Sequence, residues 1–159
     1  MDINVKLGNG RFNFRVCAII ISDGKILAML DEGSPYYYLP GGRVEIGETA
    51  EKAVIREVQE ELGITPRLVR PLWLNQAFFT WNVDNVRYHE LCVYFLMDVT
   101  DTDLLSKGDK FETKEGHLTH SFEWLAFERL KNMNFYPSFL KKDIFNLPNV
   151  FTIRTEIEE

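Results

Sequence analysis

The stretch Gly42–Ile64 limits what this chain can fold into more than any other part of it. Before it, the run Pro40-Gly41-Gly42 closes a short aromatic strand, Tyr36–Leu39. That run predicts a turn in which backbone without side chains approaches something closely. Glu45, Gly47 and Glu48 follow, and then the pattern predicts a helix. Thr49 suits its N-cap, Glu51 its positive end, and Gly63 its C-terminal stop. Within it Ala50, Val54, Val58 and Leu62 recur every four residues, a stripe that must face a core. Glu57, Glu60 and Glu61, spaced i, i+3, i+4, stand together on another face.

Like charges at these spacings cost a helix about 0.2–0.5 kcal/mol per pair, and locally only Arg56, four residues before Glu60, offers relief. A divalent cation would turn the repulsion into binding. An oxygen-only ligand set selects a hard ion, Mg²⁺ or Mn²⁺, over zinc, which prefers nitrogen and sulfur. Magnesium keeps several waters and is usually shared with substrate phosphates. The helix therefore predicts a partner that carries phosphate.

Written as G-x5-E-x7-R-E-U-x-E-E-x-G-U, with U aliphatic, the stretch carries Gly42, Glu48, Arg56, Glu57, Val58, Glu60, Glu61, Gly63 and Ile64 at the fixed positions. At every one it resembles the box of the Nudix hydrolase superfamily (MutT-like), and the flank from Leu39 to Thr49 is similar too. The resemblance implies an α/β fold: an α/β/α sandwich around a mixed β-sheet, with the box as a loop-helix-loop. It implies hydrolysis of a phosphoanhydride bond in a nucleoside diphosphate linked to another moiety, by water attacking phosphorus with Mg²⁺ or Mn²⁺ bound. Glu57, Glu60 and Glu61 would be the metal ligands, joined by the Gly41 carbonyl, and Glu57 also a candidate to orient or deprotonate the water. Arg56 would hold a box glutamate, and Glu48 would support the loop or the metal shell from the helix start. The implied substrates are a nucleotide sugar such as ADP-ribose, or an oxidised nucleoside triphosphate. A dinucleoside polyphosphate or an RNA 5′ end is the alternative, and a nucleotide-sensing domain without turnover is the non-enzyme reading. Homodimers are frequent in the family, so a homodimer is among the expectations.

At 159 residues the whole chain reads as one domain, 1–159. Met1–Arg11 reads as a polar lead-in with a turn at Gly8-Asn9-Gly10, Phe12–Ser22 as a strand, Asp23-Gly24 as a hairpin, and Lys25–Asp31 as the returning strand. Arg67–Phe79 reads as one or two strands interrupted near Pro71, and Arg87–Val99 as a long apolar strand after a turn at Asn82–Asn85. Thr100–Leu118 has no hydrophobic period and reads as a charged loop. Phe122–Phe127 predicts a short strand and Glu128–Lys131 a helical turn. A helix is expected from about Pro137, as its N1 residue, to Asn146, then a strand at Val150–Arg154 and an acidic tail.

The family often adds a further acidic base from a later loop. Here the candidates are Glu112 and Glu115, of which Glu115 is favoured, while Glu123 reads as a strand residue near the helix. Arg15, Arg43 and Arg87 lie near strand ends and could pair with phosphate. Tyr36–Tyr38, Phe78, Phe79 and Trp81 could stack a nucleobase or simply pack on the sheet. His89, His117 and His120 show no zinc spacing. The net charge of −6 argues against broad nucleic-acid or anionic-membrane binding. With no long apolar run, and with Cys17 and Cys92 each inside an apolar strand-like segment as buried free thiols, the expected location is the cytoplasm.

Overall fold

The computed structural model describes residues 1–158; the last residue of the acidic tail, Glu159, lies outside the described residues. The strands are β1 (Asn4–Leu7), β2 (Gly10–Ser22), β3 (Lys25–Met29), β4 (Gly41–Arg43), β5 (Arg67–Trp81), β6 (Val86–Asp98), β7 (Lys110–Glu115), β8 (Leu118–Ala126) and β9 (Thr152–Ile157). They form a mixed sheet in the order β7-β8-β3-β2-β6-β5-β9, with β1 and β4 also pairing with β2. The β2–β6 and β5–β9 pairs are parallel, the others antiparallel.

The run Val16–Ile20 on β2 is apolar at every position because both faces of this strand are covered. Val16, Ala18 and Ile20 pack with Leu27, Met29, Phe95 and Trp124 beneath helix α1 (Ala50–Leu62). Cys17 and Ile19 point the other way, with Ile26, Ala28, Trp73 and Leu125, beneath Leu130, Phe135, Leu140 and Ile144. The second cover is built from a 3₁₀ helix at Phe127–Asn132 and the short helix α2 (Leu140–Asp143). Helix, sheet and helices thus stack as the expected α/β/α sandwich.

Helix α1 begins and ends where its end residues dictate. The Thr49 hydroxyl accepts from the Lys52 N–H, and Gly63, at φ 68°, donates its N–H to the Gln59 carbonyl. Val54, Val58 and Leu62 of the stripe are buried and Ala50 packs at its margin.

Five segments depart from the sequence reading, the first being Tyr36–Leu39, which forms isolated bridges of Tyr38 with Met29 and of Tyr37 with Phe135 instead of a strand. The lead-in pairs as strand β1 on β2, a hairpin through the turn at Gly8. Pro40-Gly41-Gly42 is not a turn: Gly41 and Gly42 enter β4, opposite Cys17 and Val16. The charged Thr100–Leu118 segment carries a 3₁₀ helix at Leu104–Lys107 and the edge strand β7. Its inward positions are Phe111, Thr113 and Glu115, one apolar residue among three, too few for a hydrophobic period. The expected helix from Pro137 to Asn146 shrinks to Leu140–Asp143, with Pro137 three residues ahead of it instead of at N1. Leu140 and Ile144, the residues that anchor this turn in the core, are one helical turn apart. Elsewhere β5 runs through Pro71 as one strand, with register shifts at Leu68/Arg70 and Pro71/Trp73, which resolves the interruption expected there.

Candidate active site

The two glycines at the entrance to the box leave no room for side chains. A Cβ on Gly41 would lie 2.2 Å from the Val16 carbonyl oxygen, and one on Gly42 would lie 2.4 Å from the Glu57 carboxyl carbon. Strand β4 therefore runs against β2 on one side and brings the Glu57 carboxylate against its backbone on the other. The N–H of Gly41 donates to Glu61 Oε1 at 2.9 Å. Loop and helix are locked together through the functional side chains themselves.

Arg56 is the hub of the carboxylates. Its Nε and Nη2 form a fork on Glu48 at 2.7 and 2.9 Å, its Nη1 reaches Glu57 at 2.9 Å and Glu60 at 3.4 Å, and Nη2 also donates to the Arg43 carbonyl at 3.0 Å. Glu48 in turn accepts the Glu45 N–H at 3.1 Å, and its carboxyl is held below the usual range, chiefly by Arg56. Arg56 thus braces Glu48 at the start of the helix and Glu57 and Glu60 on its face.

Glu61 is 7% exposed. Burial pushes its carboxyl up to about 9, the Gly41 N–H opposes the shift, and the charges of Glu57 and Glu115 add to it. Glu57 is raised as well, first by burial and also by Glu60 and Glu115, against the pull of Arg56. A strand far off in sequence therefore delivers Glu115 into the field of the box glutamates. Thr113, on the same face of β7, donates its hydroxyl to the Glu61 carbonyl.

Glu115 is held by a residue that sequence reasoning passed over. His120 Nε2 lies 2.8 Å from Glu115 Oε1, and His120 Nδ1 lies 3.2 Å from Asp31 Oδ2. Asp31 also accepts from the Tyr38 hydroxyl and, at 3.3 Å, from the Ser121 N–H. Burial alone would lower the imidazole; Glu115 and Asp31 outweigh it and raise it. The signal available was the Glu115-Gly116-His117 hairpin tip: once β7 pairs with β8 as Glu115↔Leu118, His120 falls diagonal to Glu115 on the same face.

The candidate arginines separate. Arg15 and Arg43 are direct partners across β2 and β4 beside the box, but both share the Cys17 face of β2, away from α1: Arg15 lies near Cys17, Glu90, Cys92 and Tyr94, and Arg43 Nε donates to Asn13 Oδ1 at 3.0 Å. Arg87 pairs with Gly10, five positions along β2 from Arg15, or about 16 Å of strand, so it does not join the site. Phe78, Phe79 and Trp81 belong to that same distant end, stacked with His89 and Tyr88. Tyr36 and Tyr38 lie beside the site, with Tyr136 at 4.8 Å from Tyr36. Glu112 points away from the α1 side, and Glu123 accepts from the Tyr37 hydroxyl at 2.8 Å.

Partly buried carboxylates with raised pKa values need neutralising, and an all-oxygen set of this kind fits a hard divalent ion. Among the described residues no three of these ligands already converge on one point, because Arg56 holds Glu57 and Glu60 while Gly41 holds Glu61. No helix among the described residues is long and apolar enough to cross a membrane.

Known proteins resemble this chain in sequence and in fold. The chain is 33% identical over 124 residues to the ADP-ribose pyrophosphatase of Methanocaldococcus jannaschii, covering 76% of this chain and 70% of that protein. It is 68% identical over 28 residues to the 8-oxo-dGTP diphosphatase of Escherichia coli, a match confined to 18% of this chain and 22% of that one. The crystal structure of a mutator MutT protein from Bacillus halodurans superposes with a TM-score of 0.62 at 16% identity, over 89% of each chain, a likeness of fold alone. The NUDIX domain profile matches residues 11–142, which include all of β2 but Gly10, the box, α1, Glu115 and His120, and the chain belongs to the NUDIX family.

Proposed function

We propose that this chain is a pyrophosphohydrolase that cleaves the phosphoanhydride bond of a nucleoside diphosphate linked to another moiety, with a nucleotide sugar of the ADP-ribose kind as the first candidate and an oxidised nucleoside triphosphate as the second. The observation that carries the reading is the packing of the Glu57 and Glu61 carboxylates against Gly42 and Gly41 at the entrance to the box, with Arg56 bracing Glu57 and Glu48. The wide match to a relative named for ADP-ribose supports the order of the candidates. Nudix hydrolases generally use divalent metal ions. In this chain Glu57, Glu60, Glu61 and the Gly41 carbonyl are the residues that would hold Mg²⁺ or Mn²⁺. Such an ion would neutralise phosphate charge and acidify a bound water. Arg56 and Glu48 orient the glutamates, Arg43 at the entrance to the box is the first candidate for substrate phosphate, and Glu115 accepts the proton of the attacking water. The Cys17 and Cys92 thiols, unbonded with sulfurs 3.6 Å apart, suit a reducing compartment such as the cytoplasm.

The test is phosphate or nucleotide release from a panel that includes ADP-ribose, other nucleotide sugars, oxidised nucleoside triphosphates, dinucleoside polyphosphates and 5′-triphosphate RNA, with Mg²⁺ or Mn²⁺. Turnover abolished by EDTA and reduced about a thousandfold by Glu57→Gln is the expected result. Full activity in both Glu57→Gln and Glu61→Gln would overturn the assignment. No turnover, with one nucleotide still raising Tm, would mark a sensor domain instead.

A further inference from the structure

We propose that His120, fixed from behind by Asp31 and Tyr38, is a positioning residue that holds the Glu115 carboxylate in the catalytic cluster. The inference rests on Glu115 as the base outside the box. Four side chains from four separate segments form one continuous run of hydrogen bonds: Tyr38 to Asp31, Asp31 to His120 Nδ1, and His120 Nε2 to Glu115. All lie on the α1 side of the sheet, where Phe122 of β8 also packs in the core and sets its ring edge against the imidazole.

Glu115 needs such a partner. It sits at the last residue of an edge strand, in the field of two other glutamates, with three rotatable bonds and open water beside it. Repulsion from the Glu57 carboxylate would turn its own outward. An imidazole that is 7% exposed and engaged at both nitrogens cannot swivel, so it fixes the oxygen it touches. The β7–β8 hairpin has no need of His120 as a clasp. It is already paired through six consecutive residue pairs, from Lys110↔Glu123 to Glu115↔Leu118. The groups facing His120 are Asp31 after β3, Glu115 and Thr113 on β7, and Phe122 on its own strand. Among these only the two carboxylates are charged. The raised pKa of the imidazole follows from that pair.

The test has two readouts. In the metal-free protein, imidazole ¹⁵N NMR should show His120 titrating above the ordinary histidine value, and falling toward it in both Glu115→Gln and Asp31→Asn. No movement in either variant overturns the relay without any substrate being needed. With the best substrate of the panel, His120→Ala should lower kcat about tenfold or more at unchanged KM. His120→Gln, whose amide can still donate to Glu115, should recover part of the loss. The double variant Glu115→Gln/His120→Ala should be no worse than Glu115→Gln alone. Losses that multiply would mean that His120 acts independently, and the proposal falls. A large loss in Glu115→Gln with none in His120→Ala or Asp31→Asn leaves the base in place and removes the relay. Unchanged kcat in Glu115→Gln removes the base itself, and the relay with it. Asp31→Asn, which keeps the shape of the side chain behind His120, serves if His120→Ala does not fold.

Discussion

Gly41 and Glu61 meet through a single hydrogen bond, and each constrains the other. At Gly41 an added methyl collides with the backbone of Val16, which cannot move aside as a side chain can. Gly41→Ala is therefore expected to destabilise the protein by about 1–3 kcal/mol in urea unfolding. At Gly42 the collision is with the Glu57 carboxylate, so Gly42→Ala should show most of its effect in kcat and little in Tm. Glu61 carries the pH dependence. Its folded-state pKa, about 9, lies above the unfolded value of about 4.5, so the folded protein binds the extra proton between the two. Stability of the metal-free protein from this group is full below pH 4.5 and is lost as pH rises toward 9. Glu61→Gln has nothing to lose, and urea midpoints measured in EDTA should show it gaining on wild type above pH 4.5, with the gap widening up to about pH 9. A gap that narrows with rising pH would contradict the buried placement of this carboxylate.

At the scale of elements, α1 is a rigid arm because both of its ends are closed by residues in the box itself. Gly63 sits in the left-handed region, where an alanine Cβ is strained, so Gly63→Ala should cost about 1 kcal/mol by thermal unfolding. The catalytic cost should be larger than that stability loss alone explains, since Glu60 and Glu61 lie within the last turn. Strand β7 is the opposite case. It owes its place to pairing with β8 and to Phe111 stacked on Phe122, and it carries Thr113 and Glu115 to the helix.

For the whole molecule, the acidic cluster is a cost when no cation is present. Saturating Mg²⁺ or Mn²⁺ at about 100 times Kd should stabilise the fold by about 2.7 kcal/mol and raise Tm by roughly 5–10 °C, measured by scanning calorimetry. Glu57→Gln should remove most of the rise. Binding near neutral pH should also release protons, because Glu61 must give up its own, and the apparent binding enthalpy should then vary with the ionisation enthalpy of the buffer.

The box was legible in the sequence because its requirements are local. The four-residue stripe, Thr49, Gly63 and the glutamates at i, i+3 and i+4 all follow from helix geometry. The apolar run on β2 likewise reads as a strand without outside help. Other features depend on register between segments far apart in the chain. Gly41 and Gly42 read as a turn because their partners, Cys17 and Val16, are more than twenty residues away. Strand β7 has one apolar inward residue and shows no period by itself. The site outside the box was decided there: the Glu115↔Leu118 register sets His120 between Glu115 and Asp31, and the β2–β6 register, with Gly10 opposite Arg87, leaves Arg87 at the far end of the sheet. Local periodicity and end residues determine a helix, whereas a side chain's neighbours across a sheet exist only once strands distant in sequence have paired.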